Sequence, residues 1–316
     1  MQESEGISSR PTAHPAKLTQ FSIRELHDRP LSGKPHEAVP WHWKLYGCEL
    51  IATAVLMIVG ILTNTLILAP ASPLSDVLKQ HPGLQTALCG LFFGLGATCA
   101  AMTPFGKTSG AHLSPSVSLA FALGGRLAPR DMLGYFVAQI TGACIGTLAI
   151  YSTGLLTPGW GGWMSSIHYA ATLPAPQLSP IPVIGAELCA TAGLIFMLLF
   201  LAAHSEFNRF AIWMPGLYYF CANPLIAWIS GDSTNFARSL GPALMAGNFR
   251  GLWIYAVSPV MGAALAILLL RSGLFGKIRL IEARLVNFGH HGRVPRFSAP
   301  TMTGPHPKDV EGSKSH

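Results

Sequence analysis

The sequence predicts an all-α membrane protein with six transmembrane helices and two re-entrant half-helices, arranged as an inverted 3+3 repeat. Three observations carry this fold class. Half of the 316 residues are hydrophobic and only 11% are charged, against about 25% charged in an average soluble domain. Apolar runs of spanning length recur along a chain of positive mean hydropathy. Finally, Ser-Gly-Ala-His-Leu-Ser-Pro-Ser-Val-Ser-Leu, from Ser109 to Leu119, and Ser-Gly-Asp-Ser-Thr-Asn-Phe-Ala-Arg-Ser-Leu, from Ser230 to Leu240, read as copies at an offset of 121 positions.

Taken in order, residues 1–44 are polar and basic and predict a disordered cytoplasmic tail. Spans follow at 46–69, 84–103, 131–153, 181–203, 210–229 and 251–271, none with the short apolar core and cleavage site of a signal peptide. The channel domain is 45–272, with a first repeat at 45–155, a second at 181–272, and a cytoplasmic tail at 273–316. The copied segments follow the second and fifth spans. Ser114 and Asn235 are helix-start residues, and Pro115 takes the first helical position. Gly124-Gly125 and Gly247 stop each helix after about three turns, ~15 Å, which is half of a ~30 Å hydrocarbon core. Two such helices meeting head to head cross the membrane together and leave irregular backbone at their junction.

Basic residues set the orientation. Arg24, Arg29, Lys34 and Lys44 precede the first span; Lys107, Arg126 and Arg130 lie between the second and third, Arg209 between the fourth and fifth, and Lys277, Arg279 and Arg284 after the sixth. The segment 154–180 has neither Lys nor Arg. Both termini are therefore expected in the cytoplasm, with Trp160 and Trp163 at the outer interface of the cell membrane. The net charge of +7 is accounted for by anionic membrane lipid, not by nucleic acid. The six cysteines lie in or beside apolar runs with no CxxC or Cys/His spacing, so neither disulfides nor a metal site is expected.

The duplication reaches beyond the copied segments. Tyr135, Gly142 and Ala143 match Tyr255, Gly262 and Ala263 at an offset of 120. Glu49 and Glu187 each sit inside an apolar run, as Cys-Glu-Leu-Ile-Ala-Thr-Ala and Ala-Glu-Leu-Cys-Ala-Thr-Ala. Three spans per half is an odd number, so the halves are inverted, with the functional site between them. A carboxylate inside a span is costly unless paired or facing a cavity. Two at matching positions point to a shared role in which each accepts backbone N–H groups of a re-entrant loop. That leaves the carbonyls of Gly110, Ala111 and His112, and of Asp232, Ser233 and Thr234, to face water. Asn223-Pro224 lies inside the fifth span and reads as a kink, not a half-helix start.

These residues resemble the major intrinsic protein family, the aquaporins and glycerol facilitators. The first segment is similar to the family's Ser-Gly-Ala-His-Leu-Asn-Pro-Ala, with Ser114 and Ser116 in place of Asn and Ala. The second is similar to Asn-Pro-Ala-Arg-Ser-x-Gly-Pro-Ala, with Asn235, Phe236 and Ala237 as its altered core and Phe236 in the Pro position. Tyr135-x-x-Ala138-Gln139-x-x-Gly142-Ala143 and Trp253-x-Tyr255-x-x-x-Pro259-x-x-Gly262-Ala263 resemble the family's third and sixth spans. The likeness covers about residues 45–272. It implies a homotetramer with one pore per subunit, passive transport of water or small neutral solutes, no cofactor and no enzymatic activity.

It also assigns roles. Two half-helix N-termini contribute about half a positive charge each, the general account of ion exclusion in aquaporin-type pores. Asn235 caps its helix and orients water with its amide; Ser114 either does the same with a shorter arm or only caps. The ring of Phe236 either narrows the centre or turns aside. The outer selectivity filter falls to Arg238, Asn223, Asp232 and an aromatic in the second span. Phe93 takes that place with a one-residue insertion near Pro104; an ungapped count falls on Gly94. Asp232 either pairs with Arg238, worth ~4 kcal/mol at ~4 Å and an effective dielectric of about 20, or is a solvated mouth residue. Ser239 and Ala243 look like water channels, while the small Asn223 and Ala256 point to a wider lumen. The competing readings are a non-conducting structural homologue, because both Asn-Pro-Ala motifs are altered, and a broken-helix secondary transporter.

Overall fold

The computed structural model describes residues 41–204 and 207–275. Most of both predicted tails, with Arg24, Arg29, Lys34, Lys277, Arg279 and Arg284, lies outside the described residues. Those described fold as helices without strands: α1 (Trp43–Leu68), α2 (Pro73–Leu78), α3 (Pro82–Met102), α4 (Pro104–Ser109), α5 (Pro115–Leu123), α6 (Pro129–Leu156), α7 (Pro158–Ser166), α8 (Pro180–Ala203), α9 (Met214–Ser230), α10 (Phe236–Ala246) and α11 (Leu252–Arg271). Proline opens α2 through α8, where its missing N–H and fixed φ cost nothing.

Helices α1, α3, α6, α8 and α11 are long and apolar enough to cross a membrane. Helix α9, at 17 residues the shortest of the six predicted spans, starts four residues later than expected. Pro215 in its first turn fixes that start, and a 3-10 turn at Asn208–Phe210 precedes it. Pro224 lies inside α9, so Asn223-Pro224 begins no helix. The half-helices α5 and α10 have 9 and 11 residues.

Contacts of the first half recur in the second. Helix α1 packs on α6 and α3, as α8 packs on α11 and α9; each half-helix packs against the last span of the other half, α5 on α11 and α10 on α6. The matched glycines explain the first pair. A Cβ on Gly142 would lie 2.3 Å from the Leu50 carbonyl oxygen, and one on Gly262 would lie 2.7 Å from that of Leu188. Between lipid-embedded helices there is no hydrophobic drive, so such close backbone approach supplies the packing. Leu50 and Leu188 follow the two buried glutamates, so this contact also fixes where those carboxylates point.

Candidate functional site

The two copied segments adopt the same unusual backbone. Gly110 and Gly231 have φ of 94° and 82°, Ala111 and Asp232 of 53° and 48°, Leu113 and Thr234 of 59° and 53°. Left-handed conformation is costly for residues with a side chain, so something must hold the loops in place. Matched bonds do so: the Tyr135 hydroxyl donates to the Ser109 carbonyl and the Tyr255 hydroxyl to the Ser230 carbonyl, both at 2.5 Å. Ser118 Oγ bonds His112 Nδ1 at 3.0 Å, and Ser239 Oγ bonds Ser233 Oγ at 2.5 Å.

The glutamates, both fully buried, hold the loop amides. Glu187 takes the Ser233 N–H on Oε1 at 2.9 Å and the Thr234 N–H on Oε2 at 2.8 Å. Glu49 accepts the Leu113 N–H at 2.5 Å and Gln139 Nε2 at 3.0 Å, both on Oε1, while its Oε2 has no hydrogen-bond partner. The difference follows from sequence: the counterpart of Gln139 in the second half is Pro259, which offers no donor.

At the junction the half-helix N-termini bond to each other's loops. Asn235 Oδ1 accepts the N–H groups of Ala237 (3.0 Å) and Arg238 (3.4 Å), and its Nδ2 donates to the Leu113 carbonyl at 2.8 Å. The return bond comes from an unexpected residue. Ser116 Oγ donates to the Thr234 carbonyl at 3.0 Å, and Ser114 Oγ lies 2.7 Å from Ser116 Oγ. Ser114 occupies the N-cap but makes no side-chain cap bond, which corrects the capping role expected for it. Its hydroxyl is drawn to Ser116 instead.

Two cavities flank this region, named inner and outer after the orientation expected from the basic residues. The inner one, about 70 Å³, is bordered by Ala111, His112, Ser114, Ser116, Thr234 and Asn235 among others; one water needs ~10–15 Å³ of such volume, so several fit. The outer one, about 380 Å³, is bordered by Thr86, Thr172, Asn223 and Asp232. Both share Phe93, Tyr219, Ser233 and Arg238 as a common wall. Arg238 is held there by Nη1 donating to the Ala170 carbonyl at 2.8 Å and by its guanidinium standing 4.6 Å from the Phe93 ring centroid. The Phe93 ring lies over Gly60, where a Cβ would fall 2.4 Å away. Of the two candidates in the second span, Gly94 faces the Pro215 carbonyl oxygen, 2.4 Å from its would-be Cβ, so Phe93 supplies the side chain at the wall.

Several expectations need correction. Asp232 forms no ion pair with Arg238 within 4.0 Å, nor is it a solvated mouth residue: it is 5% exposed and neither carboxylate oxygen has a hydrogen-bond partner. Phe236 borders neither cavity, so its ring turns aside from the centre; Gly110, Pro115, Ala237 and Ala256 also border neither. The wide-lumen reading therefore rests on Asn223 alone, whose Nδ2 donates to the Thr86 carbonyl at 3.0 Å. Sequence reasoning missed Tyr219, whose hydroxyl bonds Thr234 Oγ1. Its spacing of four residues before Asn223 puts it on the same face of α9 and was the available signal. Among the described residues no cluster suited to a metal ion exists, and all six cysteines are free thiols.

Fold and site together define a multi-pass membrane protein whose two half-helices meet head to head beside two lined cavities that share a wall. A family model described as major intrinsic protein matches residues 38–270, and the chain belongs to that family. It is 31% identical over 230 residues to a probable aquaporin, NIP7-1, of Arabidopsis thaliana, covering 71% of this chain and 74% of that one. It is 30% identical over 228 residues to the glycerol uptake facilitator protein-like 6 of Lactiplantibacillus plantarum, covering 70% and 94%. Against the aquaporin NIP1-1 of Zea mays it is 39% identical over 162 residues, about half of each chain. The X-ray structure of the aquaglyceroporin from Plasmodium falciparum shares the fold, with a TM-score of 0.61, 20% identity, and coverage of 74% of this chain and 97% of that one.

Proposed function

We propose that the chain is a passive channel for water and small uncharged solutes, with Phe93, Asn223, Asp232 and Arg238 as its outer filter. The observation that carries this reading is the wall shared by the two cavities, where one cation faces one aromatic ring. The half-helix N-termini place about one unit of positive potential at the junction, and Arg238 adds a full charge, so cations are repelled while neutral hydrogen-bonding solutes are accepted. The turning aside of Phe236 from both cavities removes one ground for a non-conducting homologue. The carboxylates that a coupled transporter would need are taken up by loop backbone in the case of Glu49 and Glu187.

The same reading makes the halves an inverted repeat, puts both termini in the cytoplasm of a cell-membrane protein by the distribution of Lys and Arg, and makes the assembly a homotetramer in lipid by family likeness. Stopped-flow light scattering on proteoliposomes tests the channel. Vesicles carrying the protein are expected to shrink several times faster than empty ones under osmotic shock, and equal rates would refute conduction.

A further inference from the structure

From the hydrogen-bond count at the half-helix junction, we infer that Ser116, acting through Ser114, turns one side of the pore centre from a donor into an acceptor and so sets the orientation of water there. This rests on the channel reading above. A serine hydroxyl carries one hydrogen and two acceptor lone pairs. The Thr234 carbonyl can only accept, so the single hydrogen of Ser116 is committed to it at 3.0 Å. Ser116 Oγ therefore accepts at its 2.7 Å contact with Ser114 Oγ, and Ser114 is the donor. Having spent its hydrogen on Ser116, Ser114 presents only lone pairs to the inner cavity that it borders.

Across the junction Asn235 is fixed in the opposite sense. Its Oδ1 takes two helix N–H groups and one Nδ2 hydrogen goes to the Leu113 carbonyl, which leaves the other Nδ2 hydrogen as a donor. A water between them accepts from Asn235 and donates to Ser114. One hydrogen and one lone pair remain along the file, so neighbouring waters can align head to tail through the centre. If both sides were donors, both lone pairs of that water would be held and its hydrogens would point away in both directions, breaking the alignment. Head-to-tail order is what a proton relay needs: each hop breaks one O–H bond on the donor water and forms one on the acceptor, and a proton taken up at one mouth leaves at the other. The chain therefore has weaker orientational proton exclusion at its centre, and Ser116 is the positioning residue responsible.

The test uses the full chain in proteoliposomes, with water permeability from osmotic shrinkage and proton flux from a trapped pH-sensitive dye under a clamped membrane potential. Ser116→Ala frees the Ser114 hydrogen to face the lumen. The ratio of proton flux to water flux is expected to fall about fivefold, the ratio given by a net hydrogen bond of about 1 kcal/mol. Ser116→Thr keeps the hydroxyl and should match the parent, whereas Ser114→Ala removes the acceptor without supplying a second donor and should lower the ratio by less than Ser116→Ala. An unchanged or raised ratio in Ser116→Ala, or an equal fall in Ser116→Thr, overturns the inference. A parent protein that moves no water overturns the channel reading instead.

Discussion

Glu49 and Glu187 look equivalent in sequence but hold their loops with different numbers of bonds. Glu187 uses both oxygens on the amides of Ser233 and Thr234, whereas Glu49 spends Oε1 on Leu113 and Gln139 and leaves Oε2 unbonded. Replacing a carboxylate by an amide turns one acceptor into a donor. In Glu187→Gln that donor must face a loop N–H, so a charge-assisted bond is lost and a buried donor is left unsatisfied, a cost of about 3 kcal/mol. Gln at position 49 can keep its oxygen on the Leu113 N–H and set its NH2 where no partner is lost, a cost of about 1 kcal/mol. Thermal unfolding in detergent should therefore rank Glu187→Gln well below Glu49→Gln, and equal destabilisation would show that the loops are held by something else. Which oxygen bonds which amide depends on Gln139 of α6 in one half and its counterpart Pro259 of α11 in the other, a difference written in the sequence that shows only once the helices are packed.

At the scale of elements, the long spans were legible because about 20 consecutive apolar residues leave few alternatives, and the half-helices because start and stop residues bracket them. The short helices at Pro73–Leu78, Pro104–Ser109 and Pro158–Ser166 were not foreseen: one or two turns leave too little periodicity to register against loop composition. The junction was half legible. Asn235 behaves as its residue type predicts, but Ser114 fails to cap because a second serine two positions on offers a better partner, and spacing alone could not rank the two. The α1–α6 contact is legible in retrospect through Gly142. In Gly142→Ala the new Cβ would meet the Leu50 carbonyl at 2.3 Å, a rigid backbone atom, so α1 must move at a cost of about 1–3 kcal/mol. Because α1 carries Glu49 beside Leu50, the same shift should loosen the first loop and lower water permeability along with the unfolding temperature. Lost stability with unchanged permeability would show that the helix contact and the loop are independent.

Over the whole molecule, the sequence placed Phe93 on α3 and Arg238 on α10, which meet at the shared wall, and Asn223 on α9, which borders the outer cavity, and left their meeting to resemblance. What it could not supply was which of them divides the passage. The outer cavity of about 380 Å³ and the inner one of about 70 Å³ differ several-fold in size yet abut at Phe93, Tyr219, Ser233 and Arg238. Tyr219 is tied to Thr234, Arg238 to Ala170, and Ser233 to Glu187 through its amide. Phe93 alone among the four is positioned by packing, over Gly60 and against the guanidinium. Removing its ring should therefore merge the cavities without releasing any of the hydrogen bonds that set the loops. Phe93→Ala is expected to raise glycerol permeability about tenfold or more, because a solute three carbons long is limited by the width of the wall. Water, a smaller solute less limited by that width, should gain less than about threefold, under half of the ~1.4 kcal/mol in barrier that a tenfold change represents. Parallel stopped-flow traces with water and glycerol gradients measure both. An equal gain for the two solutes would place the limiting constriction elsewhere, with the Ser114–Asn235 junction as the next candidate.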